Sequence, residues 1–353
     1  MTFDLASLGW DAGFATGYAE LAGPADCPGR VVRADRGVCT VLTEPGTVRA
    51  SLAGTLLAAA GDDPVALPCA GDWVVVRGWP DGRVTAEAVL PRRSAVVRRT
   101  ADKDSTGQVL AANVDVVAVV EPIDPAPELG RVERLLSLAW QSGAAPLVVL
   151  TKADRAADPV TVARQVADVT AGVPVLPVSA ERATGLAALR PWIAPGRTLA
   201  LLGPSGAGKS TLVNALAGGT VMSTQRVRRA DGKGQHTTTH RALVPLPGGG
   251  AVLDTPGLRA VGLLDGAAGL DRAFADLAAL TAACRFADCA HRTEPGCAVR
   301  AALATGELSY RRWESWQKLQ RELAFESRRR SARLATQERS RGNRRRPDRT
   351  GGP

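Results

Sequence analysis

Hydrophobic and polar positions along the chain fall into three blocks with different periods. From Arg30 to about Val97 the apolar residues come in short β-prone runs. These are Arg30-Val-Val-Arg33, Val38-Cys-Thr-Val-Leu42, Thr47-Val-Arg-Ala-Ser-Leu52, Asp72-Trp-Val-Val-Val-Arg77 and Val84-Thr-Ala-Glu-Ala-Val-Leu90. Gly37, Pro45-Gly46, Gly71 and Asp81-Gly82 separate them. Five closely spaced short strands predict a small OB-like β-barrel over 28–97, preceded by a partly ordered Ala/Gly-rich lead-in over 1–27. Pro91 to Thr106 reads as a polar linker.

The second block, 98–265, alternates long apolar runs with helical periods. Val114-Asp-Val-Val-Ala-Val-Val120 and Pro146-Leu-Val-Val-Leu150 are nearly continuous, as in strands buried on both faces of a parallel sheet. Val173-Pro-Val-Leu-Pro-Val178 and Thr198-Leu-Ala-Leu-Leu202 add two more strands. Arg131 to Trp140 and Val160 to Val169 have helical spacing between them, so the block predicts a doubly wound α/β domain. In the third block, 266–326, the stretch Ala298 to Ala324 reads as helices, with Trp313 and Trp316 on an otherwise charged segment.

Composition changes this picture in two places. Of the net charge of +9, eight units sit in residues 327–353, where ten arginines face only Glu338 and Asp348. That tail is expected to be disordered, either a solvated end or an arm adding electrostatic affinity for RNA. Six cysteines are too few for a disulfide scaffold; Cys27, Cys39 and Cys69 are scattered and read as ordinary buried thiols. No run of about 18 apolar residues is present, and Met1-Thr-Phe-Asp lacks a signal peptide's charged start and apolar core. A cytoplasmic protein without a membrane partner is expected.

The chemistry centres on Gly203-Pro204-Ser205-Gly206-Ala207-Gly208-Lys209-Ser210-Thr211. It lies between an apolar strand and the helix-like Leu212 to Ala217, as a phosphate-binding loop requires. There the backbone N–H groups and helix N-terminus converge on phosphate oxygens, Lys209 reaches the β/γ-phosphates and the Ser210 hydroxyl ligates Mg²⁺. Thr151-Lys152-Ala153-Asp154, at a strand's C-terminal end, is similar to the guanine-reading Asn-Lys-x-Asp motif. A carboxylate at Asp154 accepts from both N1–H and the 2-amino group of guanine, donors that adenine lacks. Ser179-Ala180, one strand later, resembles the second base-contacting loop.

Downstream come Gly234-Gln-His236-Thr237-Thr238-Thr239-His240 and Asp254-Thr255-Pro256-Gly257. Asp254 would hold Mg²⁺ through water, Gly257 would sense the γ-phosphate, and Thr238 would close on Mg²⁺ as a switch residue. Leu258 stands where many GTPases place a water-orienting glutamine, and His236 is the nearest substitute; a polar surface loop is the competing reading. The base-reading motifs precede the phosphate loop, the order of a circular permutation. Cys284, Cys289, His291 and Cys297 then give a C-x4-C-x-H-x5-C spacing, suited to one closed, structural tetrahedral Zn²⁺.

The small barrel, the permuted GTPase with Gly-x-His-Thr-Thr-Thr and Asp-Thr-Pro-Gly, and the Cys-Cys-His-Cys module together resemble the small-subunit-dependent GTPase family RsgA (YjeQ). The resemblance covers about residues 28–325. It implies a GTP hydrolase stimulated by the 30S ribosomal subunit in its late maturation, with 16S rRNA as binding surface, GTP and GDP as ligands, and a monomer. It also implies that His236, Lys209 and Thr238 carry catalysis. The residues alone leave open a GTP-gated RNA-binding module in which hydrolysis only resets binding. Whether the barrel touches RNA or is only structural also stays open, since Trp73 and Trp79 are its only aromatics. Thr151 departs from the family's asparagine, and a hydroxyl there can replace only part of an amide's bridging.

Overall fold

The computed structural model describes residues 2–99, 107–222, 241–255 and 267–344. A short helix α1 (Ala12–Ala19) precedes five strands: β1 (Asp26–Asp35), β2 (Val38–Thr43), β3 (Gly46–Leu52), β4 (Trp73–Gly78) and β5 (Val84–Val89). These close into a barrel in the order β1-β2-β3-β5-β4, with α2 (Gly54–Asp62) between β3 and β4. Alternate residues such as Val74 and Val76 fill the interior with Val31, Val41, Ala50 and Ala86. Extra residues at Val32 in β1 and at Glu87 in β5, where the register shifts, supply the bends that closure needs. At Gly29 an added Cβ would come within 2.4 Å of a Val41 methyl, so β1 has no room for a side chain there.

Two segments differ from expectation. The lead-in forms α1, capped by the Asp11 carboxylate, which accepts from Gly13 N (2.9 Å) and Phe14 N (3.1 Å). Trp10 and Phe14 pack on the fully buried Trp73, with ring centroids 4.9 and 5.8 Å away. Arg30, 1% exposed, donates to the carbonyls of Leu8, Gly71 (3.3 Å) and Asn113 (2.8 Å) and lies 5.1 Å over the Trp73 ring. Burial pushes its pKa down to about 10. Lead-in, barrel and the following segment thus share one core. The polar linker contains β6 (Ala95–Arg99), which pairs with β7 (Gly107–Ala112) just beyond it in a ladder that crosses the boundary expected at 97/98. The ladder's buried apolar positions, Val96 and Val109 to Ala112, lie in two short runs separated in sequence by a charged stretch.

The central sheet contains β8 (Val116–Pro122), β9 (Ala145–Thr151), β10 (Val175–Pro177), β11 (Thr198–Leu202), β12 (Ala242–Pro245) and β13 (Ala251–Asp254). Their order is β10-β9-β8-β11-β13-β12, with every pairing parallel except the edge strand β12 on β13. Helices α3 (Leu129–Gln141), α4 (Pro159–Ala167) and α5 (Lys209–Ala217) flank it. Val117 and Val119 join the core on the α3 face, and Val116, Ala118 and Val120 that on the α5 face. Two buried faces explain why β8 reads as one apolar run. The strand order reverses between β8 and β11, so the C-terminal ends of the strands there form the crevice where α/β sheets bind ligands.

Helices α6 (Ala267–Ala273), α7 (Ala275–Ala282), α8 (Ala298–Thr305) and α9 (Tyr310–Arg344) complete the fold. α6 crosses α3 so closely that a Cβ on Gly269 would lie 2.4 Å from Ser137 O. Arg312 joins four segments: it bonds Glu133 of α3 (2.9 Å), Asp276 of α7 (2.6 Å), Ala273 O (3.1 Å) and Val169 O (2.8 Å). Glu133 is fully buried and also accepts from Arg311 at 2.7 and 3.0 Å. α9 is helical to Arg344, where a disordered tail from 327 was expected. Among the described residues no helix is long and apolar enough to cross a membrane.

Candidate nucleotide site and metal centre

The phosphate loop leaves β11 where backbone packing is tightest. A Cβ at Gly203 would sit 2.2 Å from Val120 O, and Gly206 (φ 79°) and Gly208 (φ 88°) adopt the left-handed conformation that glycine tolerates. Pro204, Ser205 and Gly206 face outward, while Ala207 is buried beneath them. Lys209 is 6% exposed, and its ammonium donates to Gly203 O (2.9 Å) and Pro204 O (3.0 Å), arched over its own loop. Burial lowers its pKa, and the nearby Asp254 opposes that shift. Thr211 follows in the first turn of α5, half-buried.

Ser210 donates its hydroxyl proton to Asp254 Oδ2 at 3.0 Å. Asp254 ends β13, 1% exposed, and its Oδ1 is buried with no hydrogen-bond partner among the described residues. Burial raises the Asp254 pKa, against the pull of Lys209 and Ser210. A buried, unpartnered carboxylate oxygen beside a hydroxyl is a donor set that a hard divalent cation such as Mg²⁺ fits.

Thr151, at the end of β9, reaches the same loop. Its hydroxyl donates to Ala207 O and lies 3.4 Å from Glu121 O, and it touches the position a Cβ would take on Gly208. The threonine therefore keeps a direct bridge to the phosphate loop despite its missing amide. Lys152 follows in the left-handed region (φ 58°), and Ala153 N donates to Val178 O at 3.1 Å. That turn leaves Asp154 exposed at the rim, where the Ser179 hydroxyl's hydrogen bond chiefly lowers its pKa. Ser179 is buried, pairs with Thr184 in an isolated bridge and accepts from Arg182 N (3.1 Å); Ala180 is half-buried beside it. Four strand ends thus bring Thr151–Asp154, Ser179–Ala180, the 203–211 loop and Asp254 to one edge. His236, Thr237, Thr238, Thr239, Gly257 and Leu258 lie outside the described residues.

Between α7 and α8, the ligand atoms of Cys284, Cys289, His291 and Cys297 all lie within 4.8 Å of one another. His291 Nδ1 is 3.5 Å from Cys284 Sγ and 3.4 Å from Cys297 Sγ, and those two sulfurs are 3.9 Å apart. A tetrahedron with Zn–S legs of about 2.3 Å has S···S edges of about 3.8 Å, so the donors fit Zn²⁺ in type and spacing. Sequence reasoning missed the cover of this cluster. Trp313 stands edge-on to His291 at 5.6 Å and stacks on Trp316 at 5.1 Å, which explains two tryptophans on a charged helix.

A Mg²⁺-compatible phosphate loop on a doubly wound sheet, with the Thr-Lys-x-Asp strand ahead of that loop in sequence, defines a circularly permuted P-loop GTPase. The family model for the RsgA GTPase matches residues 89–264. A Streptomyces coelicolor protein named small ribosomal subunit biogenesis GTPase RsgA is 53% identical over 321 residues, 90% of this chain and 86% of that protein. Its namesake from Opitutus terrae is 45% identical over 348 residues, 96% of this chain and 94% of that one. Among solved structures, YjeQ from Thermotoga maritima superposes with a TM-score of 0.60 at 26% identity, over 85% of this chain and 99% of that one. The chain belongs to the RsgA GTPase family and is a GTP hydrolase.

Proposed function

We propose that this GTPase binds the small (30S) ribosomal subunit and acts in its late maturation, hydrolysing GTP to GDP and phosphate with stimulation by the subunit. The observation that carries the reading is the 53% identity, over 90% of the chain, to a protein named for small-subunit biogenesis. The surface adds support: Trp79, 38% exposed on the β4–β5 hairpin, is flanked by the guanidinium groups of Arg77 and Arg83 at 5.6 and 5.5 Å. Aromatic and arginine surfaces of this kind stack on RNA bases and follow the backbone, so 16S rRNA is the proposed surface. The barrel (28–97), GTPase domain (98–265), zinc-binding domain (266–326) and arginine-rich end (327–353) would act together as a cytoplasmic monomer.

In this reading Asp154 accepts from the guanine edge, Lys152 and Ala153 line the base, and the Ser179–Ala180 loop meets its carbonyl. The backbone of 203–208 and Lys209 hold the phosphates, so the Lys209 ammonium must leave the Gly203 and Pro204 carbonyls when they bind. Ser210 and Thr238 would hold Mg²⁺, with Asp254 behind them and Gly257 against the γ-phosphate. The cation supplies neutralisation of charge on the phosphates. Cys284, Cys289, His291 and Cys297 would hold one structural Zn²⁺.

His236 supplies the water-positioning group that Leu258 lacks. Turnover measured with and without purified 30S subunits tests the proposal, with slow hydrolysis alone and strong acceleration on the subunit as the expected result. His236→Ala should keep GTP affinity and lose most of the acceleration. Equal turnover in both conditions would leave the subunit without a stimulating role. A hydrolysis-dead variant that binds and releases 30S normally would remove any need for hydrolysis in resetting.

A further inference from the structure

The loop that carries the metal donors contains a residue in an unfavourable backbone conformation. His291 sits in the left-handed region (φ 57°), which its Cβ makes costly. Ala290 to Thr293 form neither helix nor strand, so their N–H groups need partners of another kind. Glu294 supplies three of these. Its Oε1 accepts from Ala290 N (3.0 Å), and its Oε2 accepts from Arg292 N (2.7 Å) and Thr293 N (3.0 Å). The chain after Cys289 is thus wound around one carboxylate, which holds amides on both sides of His291.

Glu294 is also tied to the other side of the cluster. Arg300, in the first turn of α8, donates from its guanidinium to Glu294 O and from its backbone N–H to Cys297 Sγ, both at 3.5 Å. Glu294 lies three residues from His291 and three from Cys297, half-buried between the two ligands. Both of its carboxylate oxygens are engaged by amides, so its place is behind the donors rather than among them.

We propose that Glu294 is a positioning residue for the metal centre, resting on the reading of the cluster as a structural Zn²⁺ site. By gathering the amides of Ala290, Arg292 and Thr293, it fixes the left-handed turn at His291. That turn aims the imidazole Nδ1 at the Cys284 and Cys297 sulfurs, 3.5 and 3.4 Å away. With the carboxylate gone, the turn is released toward negative φ, which re-aims the ring.

The test uses the full chain as wild type, Glu294→Ala, Glu294→Gln and Asp288→Ala, the last removing one exposed acid from the same loop. Zn²⁺ affinity is measured by competition with a chelator, and the donor set by the d–d absorption of the Co²⁺-substituted protein. Glu294→Ala is expected to weaken Zn²⁺ binding by about 10–100-fold and to change the Co²⁺ bands as the imidazole loses its place. Glu294→Gln keeps one accepting oxygen and should fall between alanine and wild type, while Asp288→Ala should match wild type. In a His291→Ala background, Glu294→Ala should add little to the loss, because the ligand it aims is already gone. Equal losses in the two backgrounds, or weaker binding with unchanged Co²⁺ bands, would make Glu294 a general stabiliser of the loop and overturn the proposal. An equal loss in Asp288→Ala would reduce the effect to net charge and overturn it as well. If Glu294→Ala fails to fold, glutamine carries the comparison, and glutamine binding like wild type then sinks the idea. Wild type that binds no Zn²⁺ removes the metal reading and the proposal together; variants that all bind as wild type does remove the proposal alone.

Discussion

The nucleotide edge and the cysteine–histidine module solve the same problem, holding a charged ligand, in opposite ways. The module takes all four donors from fourteen consecutive residues, Cys284 to Cys297, so its geometry is local. The nucleotide edge gathers Thr151, Ser179, Lys209 and Asp254 from the ends of four strands spread over more than 100 residues. A local site depends on its ligand to fold. A site assembled from strand ends inherits its geometry from the buried sheet and should persist empty.

Breaking the module should give the largest effect. Cys289→Ser is expected to release the metal and unfold the 284–297 loop at a cost of several kcal/mol, while GTP affinity changes only a few-fold. Metal analysis, hydrogen exchange over 275–305 and a nucleotide titration check this; a retained metal with normal protection would end the contrast. Asp154→Asn attacks the other site with the reverse signature. GTP affinity should fall by about 10²-fold, affinity for xanthosine triphosphate should rise, and melting should stay near wild type because Asp154 is exposed. Unchanged GTP binding would take Thr151–Asp154 out of the base pocket.

Thr151→Val probes the bridge between the base-reading turn and the phosphate loop. Loss of the hydroxyl's bond to Ala207 O should weaken GTP binding by about tenfold or less and cost about 1 kcal/mol of stability, with Thr151→Ser restoring both. If valine equals threonine in both, the bridge is incidental.

The smallest effect is an expected constancy. The Asp154 pKa lies below its usual value of 3.8, held there first by Ser179, so the carboxylate is ionised throughout pH 8 to 5. The preference for GDP over inosine diphosphate, in which phosphate titration cancels, should stay flat across that range. Metal affinity should fall over the same range, since thiolate and imidazole ligands must shed protons to bind. Parallel titrations of both quantities would expose a preference that drifts with pH.

The parts legible in sequence share a cause. The phosphate loop, the Thr-Lys-x-Asp turn and the metal spacing are runs in which neighbours act together, so their order along the chain carries their geometry. β8 and β9 were readable because strands buried on both faces must be apolar throughout. The β6–β7 ladder was not, because β6 has only Ala95, Val96 and Val97 between Arg92-Arg93 and its own Arg98-Arg99. Trp10 and Phe14 gave no period of their own. Their role appears only once Trp73 lies beneath them.

By itself the sequence determined strands β8 to β11 of the sheet, the permuted order of the motifs and the four metal donors, since each rests on residues adjacent in the chain or on a face that must be apolar. Tertiary structure alone decided that Thr151 would reach Ala207 and that Asp254 would keep, among the described residues, an unpartnered oxygen beside Ser210. Those outcomes depend on which distant groups share a low-dielectric space, and no local pattern encodes the distance between two such groups.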